Sequence, residues 1–165
     1  MHGIKTNLLT TGARAITPLS TSIIGLIVTA TAAAGAATTA LNAALPLDKP
    51  VLFTNIREAL AVAEPTTSGT LLPALSAIAD QTNPTVVIVR VQSGGDTAAQ
   101  NTAVIGGVSG GSYTGMQALL AAAANTGVRP RIIGAPGLDT EEVATELALI
   151  ARQLRGMAYA MAIGD

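Results

Sequence analysis

Apolar positions along this chain come in short continuous runs, and between them lie stretches with helical spacing. The strongest run is Thr85-Val86-Val87-Ile88-Val89-Arg90-Val91. Apolar side chains at consecutive positions point to both sides of a strand, so this run predicts a strand covered on both faces. Further strands are predicted at Ser22–Thr29, Pro50–Thr54, Arg131–Ala135 and Met157–Ile163. Between them, apolar residues recur three and four apart. Asn55 opens the helix IREALAVA, with Glu58 placed to complete a capping box. Residues 70–81 carry Leu71, Leu72, Leu75, Ile78 and Ala79 on one stripe, with Pro73 tolerated in the first turn. Thr114 opens a helix with Gln117 as its box partner, Met116, Leu119, Leu120 and Ala123 on its inner face, and Gly127 as its stop. Asp139 opens another, with Glu142 as box partner and Val143, Leu147, Ile150 and Leu154 facing inward. Arg152 and Arg155 suit the negative end of that helix, and Gly156 ends it.

Residues 30–47, 64–69 and 92–113 are rich in Ala, Thr, Ser and Gly and read as loops. The alternation of strands and helices gives an α/β class, with a mainly parallel or mixed sheet flanked by helices. Residues 1–19 form a polar lead in which Ile4, Thr6 and Leu8 alternate with Lys5 and Asn7; it reads as an extended N-terminal arm, with residues 20–165 as the domain. The series stops just after a strand that has no following cover, as a fragment would.

Composition narrows the function. The net charge is −1 and only 12% of the 165 residues are charged, so neither nucleic acid nor membrane insertion is expected. Aromatic residues make up 2%, which removes the stacking platform of a single-strand binder. The absence of Cys excludes disulfides and thiolate chemistry. No charge lies between Ala15 and Leu47, but the apolar centre Ile23–Val28 is far shorter than the ~20 residues of a membrane span. A buried strand is expected there, rather than a cleaved leader or an anchor.

The chemical candidates are few. Gly107-Val108-Ser109-Gly110-Gly111 spells G-x-S-x-G. A nucleophile elbow needs a strand before the Ser, a helix at once after it and a His base further on. Here no buried strand precedes Ser109, and the single His, His2, lies at the N-terminus. The same glycines precede the helix at Thr114, as in a phosphate cradle, but G-x-G-x-x-G is absent and no Lys follows as in a Walker A loop. Asp139, Glu141 and Glu142 have the residue types of metal ligands, yet a helix N-terminus accounts for all three. Arg129 and Arg131 flank Pro130 and suit an anion or an acidic partner surface, but a subunit contact or a solvated edge accounts for them better. No catalytic, cofactor or metal residue is assigned on this basis.

YTGMQALLAAAANTGVRPRIIGAPGLDT, residues 113–140, resembles a segment of contractile tail sheath proteins of myophages, prophages and R-type pyocins. MHGIKTNLL is similar to the family's HGV-x-V start, and GARAITPLSTSIIGLIVTA to its G-x-R-x-I-x-x-x-x-x-x-I-I-G strand. LPLDKPVLFTNIREAL resembles P-x-N-x-P-V-L-x-T, with Asp48 in place of the Asn, and TLLPALSAIADQTNPTVVIVRV resembles the helix and strand that come next. The resemblance implies a structural, non-enzymatic subunit without cofactors. It would form hexameric rings stacked helically around a tail tube protein, between baseplate and tail terminator. Its place would be the virion tail, assembled in the host cytoplasm, and contraction would drive the tube through the host envelope. Gly3, Ile4, Lys5, Thr6, Asn7 and Leu8 would belong to an arm that adds a strand to a neighbouring subunit. Family members are longer, and the resemblance implies that their C-terminal region is missing here. The competing reading is a small nucleotide- or phosphate-binding α/β domain using the helix N-termini at Thr114 and Asp139.

Overall fold

The structure is a computed structural model and describes residues 23–161. The arm reading of residues 1–19, Gly3 to Leu8 included, lies outside them, as do residues 162 and 163 of the expected last strand. A sheet in the order β2-β4-β1-β7-β8 runs through the domain, made of β1 (Ile24–Ala32), β2 (Pro50–Phe53), β4 (Val86–Val91), β7 (Ile132–Gly134) and β8 (Met157–Tyr159). The strands β4, β1, β7 and β8 are parallel, and β2 runs antiparallel to β4, so the sheet is mixed but mostly parallel.

β4 is buried at every position, as its unbroken apolar run requires. Alternate residues serve different cores. Ile23 and Ile27 with Val87, Val89, Val91 and Ile133 face one side; Leu26 and Val28 with Val86 and Ile88 face the other. The first side is covered by α4 (Thr97–Ile105), a 3₁₀ helix (Gly115–Ala121), α5 (Ala122–Thr126) and α6 (Glu141–Leu154). The second is covered by α1 (Ala36–Ala44), α2 (Ile56–Ala63) and α3 (Leu71–Ala79). This division follows the direction of travel. The chain goes from β1 to β4 by way of α1–α3, then back past β1 to β7 and β8 by way of α4–α6. Parallel connections share one hand, so opposite directions put their helices on opposite faces.

Three segments read as loops are ordered elements. Within residues 30–47, β1 continues to Ala32 and α1 follows. Alanine is the best helix former, and the buried Leu41 and Leu45 dock this helix. Within 64–69, β3 (Thr66–Gly69) pairs antiparallel with Ala30–Ala32, and the Thr67 hydroxyl donates to the Thr31 carbonyl at 3.2 Å. Within 92–113 lie α4 and a small hairpin, β5 (Val108–Ser109) and β6 (Ser112–Tyr113). Asp96 caps α4 by accepting from the Ala99 N–H at 2.7 Å.

The expected caps divide. Asn55 accepts from the Arg57 N–H at 3.0 Å and caps α2 as predicted, although Glu58 makes no side-chain bond back among the described residues. Thr114 stands at the start of its helix without capping it, and the helix is split into a 3₁₀ turn and α5 before Gly127 closes it in the left-handed region. Asp139 is not the cap of α6; Thr140 holds that position. At the far end Arg155, not Gly156, takes the left-handed conformation, at φ 54°. Gly156 is needed for space instead, since a Cβ there would lie 2.4 Å from the Arg131 carbonyl oxygen.

Candidate functional site

The G-x-S-x-G stretch is a β-hairpin. Val108 pairs with Tyr113 and Ser109 with Ser112, across a tight turn at Gly110 and Gly111, both at positive φ. Two glycines in the left-handed region between two-residue strands is the turn chemistry that matches strand twist. Ser109 is exposed near the tip, with no helix starting behind it. The hairpin base is closed by Thr114, whose N–H donates to the Gly107 carbonyl at 2.9 Å and whose hydroxyl accepts from the Gly107 N–H at 3.0 Å. Gly106 and Gly115 touch beneath it: a Cβ on Gly106 would fall 2.1 Å from the Thr114 carbonyl oxygen, and one on Gly115 2.6 Å from Gly106 Cα. The hairpin therefore stands on a backbone-to-backbone contact, with Val108 71% and Tyr113 43% exposed on it.

Neither helix N-terminus offers an anion cradle. The Gly115 N–H, first of the 3₁₀ helix, donates to Asp48 Oδ1 at 2.8 Å, so a carboxylate already holds the place a phosphate would take. Asp48 adopts φ 56°, a conformation that Asn and Asp tolerate, which accounts for an Asx residue at this position. At the start of α6, Asp139, Glu141 and Glu142 concentrate negative charge. The carboxylates do not converge on a metal: among the described residues no three of His, Cys, Asp and Glu gather as a possible cluster.

Three prominent polar side chains have structural tasks. Asn101 of α4, 8% exposed, accepts from the Thr140 hydroxyl at 3.0 Å and donates to Glu142 Oε2 at 3.0 Å, which ties α4 to the start of α6. Arg90, on β4, is 6% exposed. Its Nε–H donates to the Leu45 carbonyl at 2.7 Å and its two terminal nitrogens to the Ala30 carbonyl at 3.3 Å and to Asn42 Oδ1 at 2.5 Å. Desolvation by burial lowers its pKa from the usual arginine value. Arg131 donates to the Leu154 and Arg155 carbonyls at 3.3 and 2.9 Å, so it serves the C-terminus of α6 and not an anion. Arg129 is exposed. Asn101 and Arg90 were not singled out as site residues by the sequence, because Asn101 falls in a stretch read as loop and Arg90 in a strand read as core.

Asp139 differs from the rest. Its side chain is 2% exposed. Oδ2 accepts from the Met161 N–H, and Oδ1 is buried with no hydrogen-bond partner among the described residues.

The most exposed of the large apolar residues are Val108 on the hairpin and Met157, Tyr159 and Met161 on and just beyond β8, the last three at 59, 69 and 78% exposure; Tyr113 on the hairpin, Leu149 of α6 and Leu47 are exposed to a lesser extent. β8 is an end strand of the sheet, bonded to β7 alone among the described strands. An unpaired strand edge and an exposed apolar patch are features that can pair or pack with other polypeptide.

No protein-family model matches the chain. Curated relatives do. The tail sheath protein of Escherichia phage P2 is 42% identical over 170 residues, which cover 99% of this chain and 41% of that protein. The major tail sheath protein of Serratia phage KSP20 is 41% identical over 167 residues, covering 99% of this chain and 40% of that protein. This chain is similar to part of a tail sheath protein. It spans about two fifths of the length of the curated relatives it matches. The resemblance drawn from short sequence motifs, which span nearly the whole chain, is borne out over 99% of it.

Proposed function

We propose that this chain is the sheath-forming α/β portion, residues 20–165, of a contractile phage tail subunit, preceded by a linking arm at residues 1–19. The subunit works as a structural part of the virion tail and not as an enzyme. It associates with copies of itself in helically stacked hexameric rings around the tail tube protein, bounded by baseplate and tail terminator. Contraction of the rings drives the tube through the host envelope. The similarity to tail sheath proteins over 99% of the chain carries this reading. Two observations support it. Of the polar groups that resembled ligand sets, Glu142 and Arg131 are spent on holding helices in place, and the helix N-terminus at Thr114 is taken by Asp48. The most exposed large apolar residues lie on a projecting hairpin and on and beyond an end strand, where another subunit can pair or pack.

The test is replacement. This chain is exchanged for the aligned segment of the Escherichia phage P2 protein, and the chimera is viewed by negative-stain electron microscopy. Tubes or stacked rings are the expected result. Uniform small particles, under conditions where the parent protein forms tubes, overturn the reading.

A further inference from the structure

The two faces of the sheet are not covered to the same extent. On the face of α1–α3, cover ends at α3, and the parts of β7 and β8 on that side carry no helix among the described residues. The result is an apolar groove of about 310 Å³ between α3 and these strands. It is lined by Ala77 and Ile78 of α3, Leu26, Ile132, Tyr159 and Met161, with Asp139 at one end. The gap follows from topology. Every connection that travels toward β8 lies on the opposite face, so no crossover within residues 23–161 can cover this one.

We infer that this groove seats an apolar segment of the same polypeptide C-terminal to Met161. Three observations point to that occupant. The chain is led into the groove at Met161, whose N–H is held by Asp139 Oδ2. Asp139 Oδ1, buried beside it, has an unused acceptor, and burial without a partner is costly enough that a donor is expected to meet it. A carboxylate that accepts one backbone N–H on each oxygen would fix the direction in which the following segment leaves the sheet. Finally, the relatives have more than twice the length of this chain, so polypeptide beyond the matched part exists in them. The inference rests on the same kinship as the sheath reading.

A reporter thiol tests it. The described residues hold no cysteine and neither does the rest of the sequence, so Ala77→Cys places a single thiol in the groove at an exposed helix position. Its labelling rate is measured in this chain and in the chain joined to the part of the Escherichia phage P2 protein that follows the aligned segment, with any cysteine of that part replaced by serine. Ser109→Cys, at the hairpin, serves as the reference in both. The expected result is rapid labelling in this chain and labelling at least tenfold slower in the extended one, independent of protein concentration, with the reference rate unchanged. Equal rates overturn the inference. So does protection that appears only as the extended protein polymerises, which assigns the groove to a second copy. Protection in this chain that is lost on deleting residues 1–22 also overturns it, in favour of the N-terminal segment. Tubes that form while the Ala77→Cys thiol stays reactive defeat this inference and leave the sheath reading intact.

Discussion

Arg90 on β4 donates to Asn42 Oδ1 on α1 at 2.5 Å, joining a buried strand to a helix that sequence patterning does not reveal. The same guanidinium holds the Leu45 carbonyl at the end of α1 and the Ala30 carbonyl of β1. Arg90→Ala strands two backbone acceptors and is expected to cost about 3 kcal/mol. Asn42→Ala costs about 1 kcal/mol, since water reaches this exposed side chain. Urea unfolding of the two single variants and the double one gives the coupling; strict additivity contradicts the pairing.

The hairpin base and its tip have different tolerances. Gly106→Ala drives a Cβ into the Thr114 backbone and is expected to lower stability by about 3 kcal/mol, or roughly 6–12 °C in Tm for a chain of this size. Gly110→Ala meets no atom within 4 Å and bears only the cost of positive φ, about 1 kcal/mol. Thermal melts followed by circular dichroism should rank the two in that order, and a reversal would show that the glycine contact does not anchor the hairpin.

Ser109 is exposed on a two-residue strand, with no His among the described residues to serve as its base. Ser109→Ala is expected to change stability by less than about 0.5 kcal/mol. A fluorophosphonate probe should leave the parent chain unlabelled, and labelling that Ser109→Ala abolishes would restore the nucleophile reading.

Asn101 is placed to discriminate between amide and carboxylate. Asn101→Asp sets a second negative charge against Glu142 in place of a donor, and about 1–2 kcal/mol of stability is expected to go at neutral pH. Repulsion raises the folded-state pKa of the introduced carboxyl above its unfolded value. The loss is therefore full above that pKa and diminishes as pH falls through it. Unfolding curves at pH 7 and near pH 4 check the sign; a penalty that grows on acidification would place the repulsion elsewhere.

Burial patterns were legible where one face of an element is strongly apolar. β4, α2 with its Asn55 cap, and the Val143-Leu147-Ile150-Leu154 stripe of α6 stand where the sequence placed them. α1 and α4 were not legible for opposite reasons. α1 is nearly all Ala and Thr, and Leu41 is its one buried residue. α4 buries Asn101 beside Val104, so a polar residue interrupts the stripe that would have marked it. β3 has no apolar signal at all, because its Thr-Thr-Ser-Gly backbone is recruited by the overhanging end of β1. Asp139 has the residue type of a cap, but after the turn closed by the Leu138 N–H on the Ala135 carbonyl, at 2.9 Å, its carboxylate turns inward toward Met161. A local motif does not encode that tertiary choice.

The position of β1 in the sheet has a mechanical consequence. At its start the Ile24 N–H donates to the Thr85 carbonyl at 3.1 Å, while the Ile23 carbonyl accepts from the Arg131 N–H at 2.9 Å. β1 then runs parallel to both β4 and β7. A pull on the polypeptide ahead of Ile23 is thus delivered to the middle of the sheet. Directed along the strand, it loads the ladders on both sides in shear, with many hydrogen bonds sharing the force at once, instead of peeling an end strand one bond at a time. Tension that reaches the domain from that side is met by its stiffest part.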